Sequence, residues 1–153
     1  MNAAVLANVT GVAISGRALL IEGAPGSGKS ALALALIDRG AVLIGDDAVS
    51  TALRGGAVWA TPPPNTAGLI EIRNVGIARM PTTEAPIALV LTLDPAAPRF
   101  PLELAAREIC GVAIPALPFA PGDAAQALRA EHALQIHGLP LPVAVKSAQE
   151  GAV

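Results

Sequence analysis

The chain has 153 residues, of which 53% are hydrophobic, 14% charged and 2% aromatic, with a formal net charge of −2 and one cysteine. This length favours a single domain over residues 1–153, and the apolar runs are shorter than the roughly 20 residues of a membrane-spanning helix. Without basic runs or stacking aromatics the chain lacks a nucleic-acid surface, and its lone cysteine and missing secretory leader predict a cytoplasmic protein.

The first predicted elements are a hairpin and a helix. The stretch VAISGRALLIEG predicts two strands joined by a turn at Ser15-Gly16. A helix is predicted from Lys29 to Asp38, because this segment is rich in Ala, Leu and Ile and free of Gly and Pro, and Gly40 fits its C′ position. The next short apolar run, AVLIG, predicts a buried strand that ends at Asp46-Asp47.

The second half of the chain predicts further strands and a late helix. TALRGGAVWATPPP is typical of a hairpin, GLIEIRNVGIARM of a strand leading into a loop, and IALVLTLD of a buried strand ending at Asp94. We predict a short helix around Leu102–Ile109, then an extended piece, a turn, and a helix with Asp123 as its N-cap. Residues 139–153 are predicted to fray. Mixed strands and helices predict an α/β domain with a mixed sheet.

One segment matches a phosphate-binding loop at every fixed position. The pattern G-x-x-x-x-G-K-[ST], here called the P-loop, is formed by Gly23, Ala24, Pro25, Gly26, Ser27, Gly28, Lys29 and Ser30. Glycines let the backbone curl so that N–H groups point inward, and the following helix N-terminus adds partial positive charge. The lysine supplies a full charge to β- and γ-phosphates, and the serine offers a hydroxyl to Mg²⁺. The motif predicts nucleotide or polyphosphate binding but leaves the reaction open.

Acidic residues at predicted strand ends, where their side chains can converge on the P-loop, are candidates for proton transfer and metal binding. Asp46 and Asp47 are adjacent, so on an extended chain their side chains point to opposite faces; the alternative is a plain acidic turn. Glu71 lies in the strand LIEIR, where a solvated pair with Arg73 is the alternative. For Asp94, before Pro95, a turn cap is the favoured interpretation over a metal-binding aspartate.

The order of these motifs resembles the bacterial HPr kinase/phosphorylase family, specifically its C-terminal kinase domain. The resemblance is carried by GVAISGRALLIEGAPGSGKSALALALIDRGAVLIGDDAV and GLIEIRNVGI, and more weakly by ICGVAIPALPFAPG. It implies a P-loop kinase core with a mixed sheet, related to phosphoenolpyruvate carboxykinase. It also implies ATP or pyrophosphate as phosphate donor, a serine of the carrier protein HPr as acceptor, and a homo-oligomer, often a hexamer.

The resemblance also implies roles for individual residues. Lys29 would hold phosphates, and Ser30 and Glu71 would bind the metal. Asp47, with Asp46 beside it, would be the base of the kinase reaction and the acid of the reverse reaction. Arg99, in PRFP, falls near a catalytic arginine of the family.

Two departures from the family pattern weaken the reverse, phosphorylase reaction. Asn8 stands where the family commonly has a catalytic histidine, and an asparagine cannot carry a proton charge near neutral pH. Pro121-Gly122-Asp123-Ala124 stands where the family has a basic loop, so the charge there is reversed.

Two other functions therefore stay open. Asn8 and the missing basic loop favour a catalytically weak, nucleotide-sensing regulatory module. A small-molecule P-loop kinase would need an arginine-rich lid, whereas Arg99, Arg107 and Arg129 are scattered along the sequence.

Overall fold

The computed structural model describes residues 3–101 and 103–142. Within them the chain forms two helices and eleven strands, in the order β1 Ala3–Ala7, β2 Val9–Ile14, β3 Arg17–Glu22, α1 Lys29–Asp38, β4 Val42–Gly45, β5 Ala48–Arg54, β6 Ala57–Thr61, β7 Leu69–Ile72, β8 Gly76–Arg79, β9 Ala85–Leu93, β10 Ala105–Ile109, β11 Val112–Phe119 and α2 Gln126–His137. Neither of these helices is long and apolar enough to cross a bilayer.

The main sheet is mixed, as predicted, and β9 is its centre. The strand order runs β1-β5-β6-β9-β3-β2-β4, with β11 also pairing with β9 and β10 pairing with β11. β9 is parallel to β3 and β11 but antiparallel to β6. Eight of its nine residues are buried, which is the continuous apolar pattern of a strand covered on both faces. The parallel trio places the carboxyl ends of β3, β9 and β11 at one edge.

The core has two parts. One contains buried residues of α1 and α2 together with Leu19, Ile21 and Leu91, and the other contains Leu20, Val90 and residues of the β5–β6 and β10–β11 hairpins. Alternate residues of β3 therefore enter different clusters, as the period of two in a strand requires. β7 and β8 form a separate two-stranded sheet, and Ile70 of β7 is buried in the cluster that contains the helices.

The predicted turn at Ser15-Gly16 and the predicted end of the first helix are confirmed. Ser15 and Gly16 both have positive φ, 51° and 85°, which fits the tight hairpin turn that matches strand twist. At the end of α1 the amide of Gly40 donates to the carbonyl of Ile37, and that of Ala41 donates to Leu36. These two bonds form a Schellman motif with Gly40 at C′.

Three local predictions are wrong. Ala105–Ile109 forms strand β10 rather than a helix, because it pairs antiparallel with β11 along its whole length. Asp123 does not cap α2: the N-cap is Ala125 without a side-chain bond, and the Asp123 carboxylate accepts from Arg129. Leu139 is not frayed, since its amide donates to Ala88 and its carbonyl accepts from Arg17. Residues 143–153 of the predicted frayed tail lie outside the described residues.

Candidate active site

The P-loop connects the end of β3 to the start of α1. Ser27 N–H donates to the carbonyl of Ala24 across the turn, and Gly28 has a left-handed φ of 105° as the N-cap of α1. No side chain caps this helix, and its first turn contains no acidic residue. Its first N–H groups, which have no partner within the helix, therefore remain available to an anion.

Lys29 is the first residue of α1 and is 8% exposed. Its Nζ donates to the carbonyl of Gly23 at 2.9 Å and to that of Ala24 at 3.2 Å, so the side chain folds back over its own loop. Among the described residues it forms no ion pair. A buried ammonium normally needs a negative partner, and this one faces only neutral carbonyls.

Ser27 is a second residue of the loop whose polar side chain is not fully satisfied by the described residues. The Oγ of Ser27 is buried without a hydrogen bond to any described residue. It packs closely against Gly23, where an added Cβ would lie 2.6 Å from that oxygen. Buried hydroxyls usually have a partner, so an oxygen-rich ligand in the loop fits both Ser27 and Lys29.

Asp46, directly after β4, joins three elements at the helix N-terminus. Its Oδ1 accepts from Ser30 Oγ at 2.6 Å and from Thr10 Oγ1 at 3.0 Å. Its Oδ2 accepts from the amide of Glu71 at 3.4 Å. The carboxylate therefore ties α1, β2 and β7 together, and the predicted convergence of Asp46 with the P-loop is observed.

Asp47 has a fixed backbone and an exposed side chain. Its φ is 64°, its amide donates to Thr10 Oγ1 at 3.2 Å, and its carbonyl accepts from the amide of Asn8 at 2.9 Å. The sharp turn at this point depends on Gly45, because a Cβ there would collide with the carbonyl oxygen of Ala48. One of the two adjacent acids is thus held inside a network, and the other points into solvent.

The remaining predicted site residues are distributed unevenly. Glu71 is beside Asp46 through its amide, and its own side chain is exposed. Arg99 is exposed and lies 5.9 Å from the ring of Phe100; within the described chain no hydrogen bond or ion pair joins it to the P-loop, so its role stays a prediction. Asp94 Oδ1 accepts from the amide of Ala96, which confirms the turn-cap interpretation.

Thr10 is the residue that sequence reasoning missed. It is fully buried and contacts both acids through one hydroxyl. A threonine in an otherwise apolar strand is a weak signal, because β-branched residues are common in strands. Its role arises from the pairing of β2 with β4, which the local sequence does not reveal.

Positively and negatively charged side chains form ion pairs in the segments that lead up to and approach the P-loop. Pro121 approaches the P-loop at the end that enters α1: its side chain lies 3.9 Å from a Cβ built on Gly28. Arg129 contacts Asp123 and lies over the ring of Phe119, and Arg107 pairs with Glu22 at the end of β3.

A metal site made only of protein side chains is not found in the described part of the chain, where no group of three or more His, Cys, Asp and Glu residues is arranged to hold an ion. Mg²⁺ at nucleotide sites is commonly held by one or two protein groups together with phosphate oxygens and water. Ser30 uses its O–H toward Asp46 and keeps lone pairs free. Ser30 therefore has an oxygen of the kind that fits a magnesium ion shared with a polyphosphate, whereas the metal role of Glu71, whose amide contacts Asp46, stays a prediction.

The family model described as HPr Serine kinase C-terminal domain matches residues 3–128. The chain belongs to this family. The matched range contains every P-loop residue, both adjacent aspartates, Thr10 and Glu71, so the family relationship includes the whole candidate site.

Individual relatives of the HPr kinase domain agree with this assignment. The chain is 46% identical over 66 residues to the HPr kinase/phosphorylase of Clostridium botulinum (strain Eklund 17B / Type B). This aligned segment covers 43% of this chain and 22% of that protein. The corresponding protein of Clostridium novyi (strain NT) is 43% identical over 70 residues, covering 46% of this chain and 23% of the relative. The matches thus span less than a quarter of these curated relatives.

A solved HPr kinase structure shares the fold. The Hpr(Ser) kinase/phosphatase from Coxiella burnetii aligns with a TM-score of 0.74 at 25% identity, over 87% of this chain and 92% of that one. The predicted α/β class with a mixed sheet is therefore confirmed.

Proposed function

We propose that this chain is an ATP-dependent protein kinase that phosphorylates a serine of HPr or of a similar phosphocarrier protein. The observation that carries the proposal is the buried Lys29 ammonium, which meets only the carbonyls of Gly23 and Ala24 in a loop of phosphate-binding sequence. An anionic polyphosphate would supply the negative charge that this site lacks. Family membership supports HPr as the acceptor.

The P-loop would hold the phosphates of ATP or pyrophosphate. The uncapped N-terminus of α1 and the loop amides would donate to phosphate oxygens, and Lys29 would exchange loop carbonyls for those oxygens. Ser30 and Glu71 would hold Mg²⁺, which when bound neutralises charge on the β- and γ-phosphates. Asp46 would keep the Ser30 hydroxyl oriented through their 2.6 Å hydrogen bond.

Asp47 would act as the base toward the incoming serine. As the serine oxygen forms its bond to the γ-phosphorus, the bond to the β-phosphate oxygen breaks and ADP leaves. The serine proton passes to the Asp47 carboxylate, which is exposed and thus accessible to a protein substrate. Arg99 is a further candidate for stabilising the transferring group, as the family resemblance implies.

Two features favour this reaction over others. In the described residues Arg107 is paired with Glu22 and Arg129 with Asp123, an arrangement unlike the arginine-rich lid of small-molecule kinases. Asp123, in the loop that approaches Gly28 through Pro121, is paired with Arg129, so within the described residues this loop presents no free cation to an incoming phosphate ion. We therefore propose the kinase direction and not the phosphorylase direction.

The direct test is phosphoryl transfer to purified HPr. The protein is incubated with ATP, Mg²⁺ and HPr, and HPr is analysed for phosphoserine by mass spectrometry. We expect transfer by the unaltered chain and none to an HPr variant whose acceptor serine is replaced by alanine. K29M should abolish both transfer and ATP binding, whereas R39M, which removes a charge at the opposite end of α1, should retain both.

A regulatory nucleotide sensor is the second candidate, favoured by Asn8 beside the Asp47 backbone. ATP binding without transfer by the unaltered protein would select this function. In that case D47N should leave partner binding intact while K29M removes it.

We also propose, from the family resemblance, that the chain assembles as a homo-oligomer. Light scattering measures the mass of the assembly in solution and tests this proposal.

A further inference from the structure

Thr10 is a buried polar residue that neither the motif nor the proposed roles account for. It lies in β2, is 0% exposed, and is one of three buried polar or charged side chains in the described residues, with Lys29 and Thr51. A buried hydroxyl must be hydrogen-bonded to avoid a desolvation cost. Its partners therefore indicate what the residue does.

Both partners of Thr10 are the adjacent acids. The hydroxyl donates its single proton to Asp46 Oδ1 at 3.0 Å and accepts the amide proton of Asp47 at 3.2 Å. One oxygen atom thus fixes the side chain of the first acid and the main chain of the second. A hydroxyl can do this because it is both a donor and an acceptor.

The consequence differs for the two acids. Asp46 is held on Ser30 at the start of α1, so its orientation is coupled to the P-loop. Asp47 is held in a left-handed conformation, φ 64°, that a non-glycine residue seldom adopts without support. With the backbone constrained, Asp47 stays directly beside Asp46, and its exposed carboxylate extends from a fixed main-chain position.

We propose that Thr10 is a positioning residue for phosphoryl transfer, whose hydroxyl sets the geometry of the Asp46–Asp47 pair. The inference rests on the proposed function, since it assigns Thr10 an effect on the transfer step. The hydroxyl uses its two observed hydrogen bonds on Asp46 and Asp47 and none on the P-loop, so we expect binding of ATP not to depend on it. Its loss should lower kcat, because small displacements of a catalytic group are costly to the rate.

The test compares three variants with the unaltered protein. T10V has the same shape but no hydroxyl, and T10S keeps the hydroxyl. T51V is the matched control, because Thr51 is also buried and donates to a main-chain carbonyl, that of Ala4 on the neighbouring strand β1. T10V should lower kcat about 10- to 100-fold with the KM for ATP unchanged within about twofold, whereas T10S and T51V should keep kcat close to that of the unaltered chain.

A second readout does not need activity. In ligand-free protein, NMR-detected hydrogen exchange at the Asp47 amide should accelerate in T10V and remain slow in T10S and T51V. Unchanged kcat in T10V, an equal loss of kcat in T51V, or unchanged exchange at Asp47 would each overturn the proposal. If the unaltered chain transfers no phosphate to HPr, the proposed function fails, and the exchange data alone decide whether Thr10 positions Asp47.

Discussion

The main-chain amide of Asn8 donates a 2.9 Å hydrogen bond to the main-chain carbonyl of Asp47. Both residues have a left-handed backbone, with φ values of 63° and 64°. The turn between β1 and β2 thus supports the turn between β4 and β5, and Thr10 holds the other side of Asp47.

Substitutions at Asp47 should separate backbone strain from the carboxylate. Asn enters the left-handed region more readily than Ala, so D47A should be about 1 kcal/mol less stable than D47N in urea unfolding. Both variants should lose phosphoryl transfer because the carboxylate is absent. Equal stability of D47A and D47N would show that the turn relaxes without cost.

Removing the Ser27 hydroxyl should leave folding intact but weaken ligand binding. The Oγ is buried without a partner in the described chain, so S27A loses no hydrogen bond and removes a desolvated polar atom. We expect an unfolding free energy equal to that of the unaltered chain or higher by up to about 1 kcal/mol. Titration calorimetry with Mg²⁺–ATP should show weaker binding, and a destabilised S27A with unchanged affinity would contradict this account of the loop.

S30A should make nucleotide binding less dependent on magnesium. Ser30 is the proposed magnesium ligand and donates to Asp46, so its removal costs one charge-assisted hydrogen bond and one metal contact. ATP affinity measured with Mg²⁺ should fall about tenfold, while affinity measured with EDTA should be nearly unchanged. A similar loss in both conditions would instead assign Ser30 a purely structural role.

G45A should destabilise the turn that carries both acids. An added Cβ would collide with the carbonyl oxygen of Ala48 and lie 2.8 Å from Pro63, so the backbone must move, at a cost of about 1–3 kcal/mol. G56A is the control: Gly56 has a φ of 84° but open space around it, so the substitution costs only the strain of a positive φ and causes no collision. Thermal unfolding should place G45A below G56A, and the reverse order would refute the predicted collision.

The sequence predicted best where structure is determined locally. The P-loop, the helix from Lys29 to Asp38 and the Ser15-Gly16 turn follow from glycine placement and apolar spacing, and all three are observed. The convergence of Asp46 with Ser30 was also expected from the strand end.

Predictions failed where distant pairing decides the outcome. Ala105–Ile109 has helix-favouring residues, yet its pairing with β11 overrides their propensity. Thr10 acquires its role only because β2 pairs with β4 and brings it against Asp46 and Asp47. The roles of Glu71 and Arg99 depend on side-chain positions around a bound ligand and stay predictions.

The support that Asn8 gives to Asp47 uses only main-chain atoms. The side chain at position 8 can therefore change among residues that accept a positive φ while the turn at Asp47 keeps its shape. Histidine tolerates a positive φ almost as well as asparagine does. A titratable ring could thus be exchanged for an inert amide at this position, altering the chemistry next to Asp47 with no rearrangement of the scaffold beneath it.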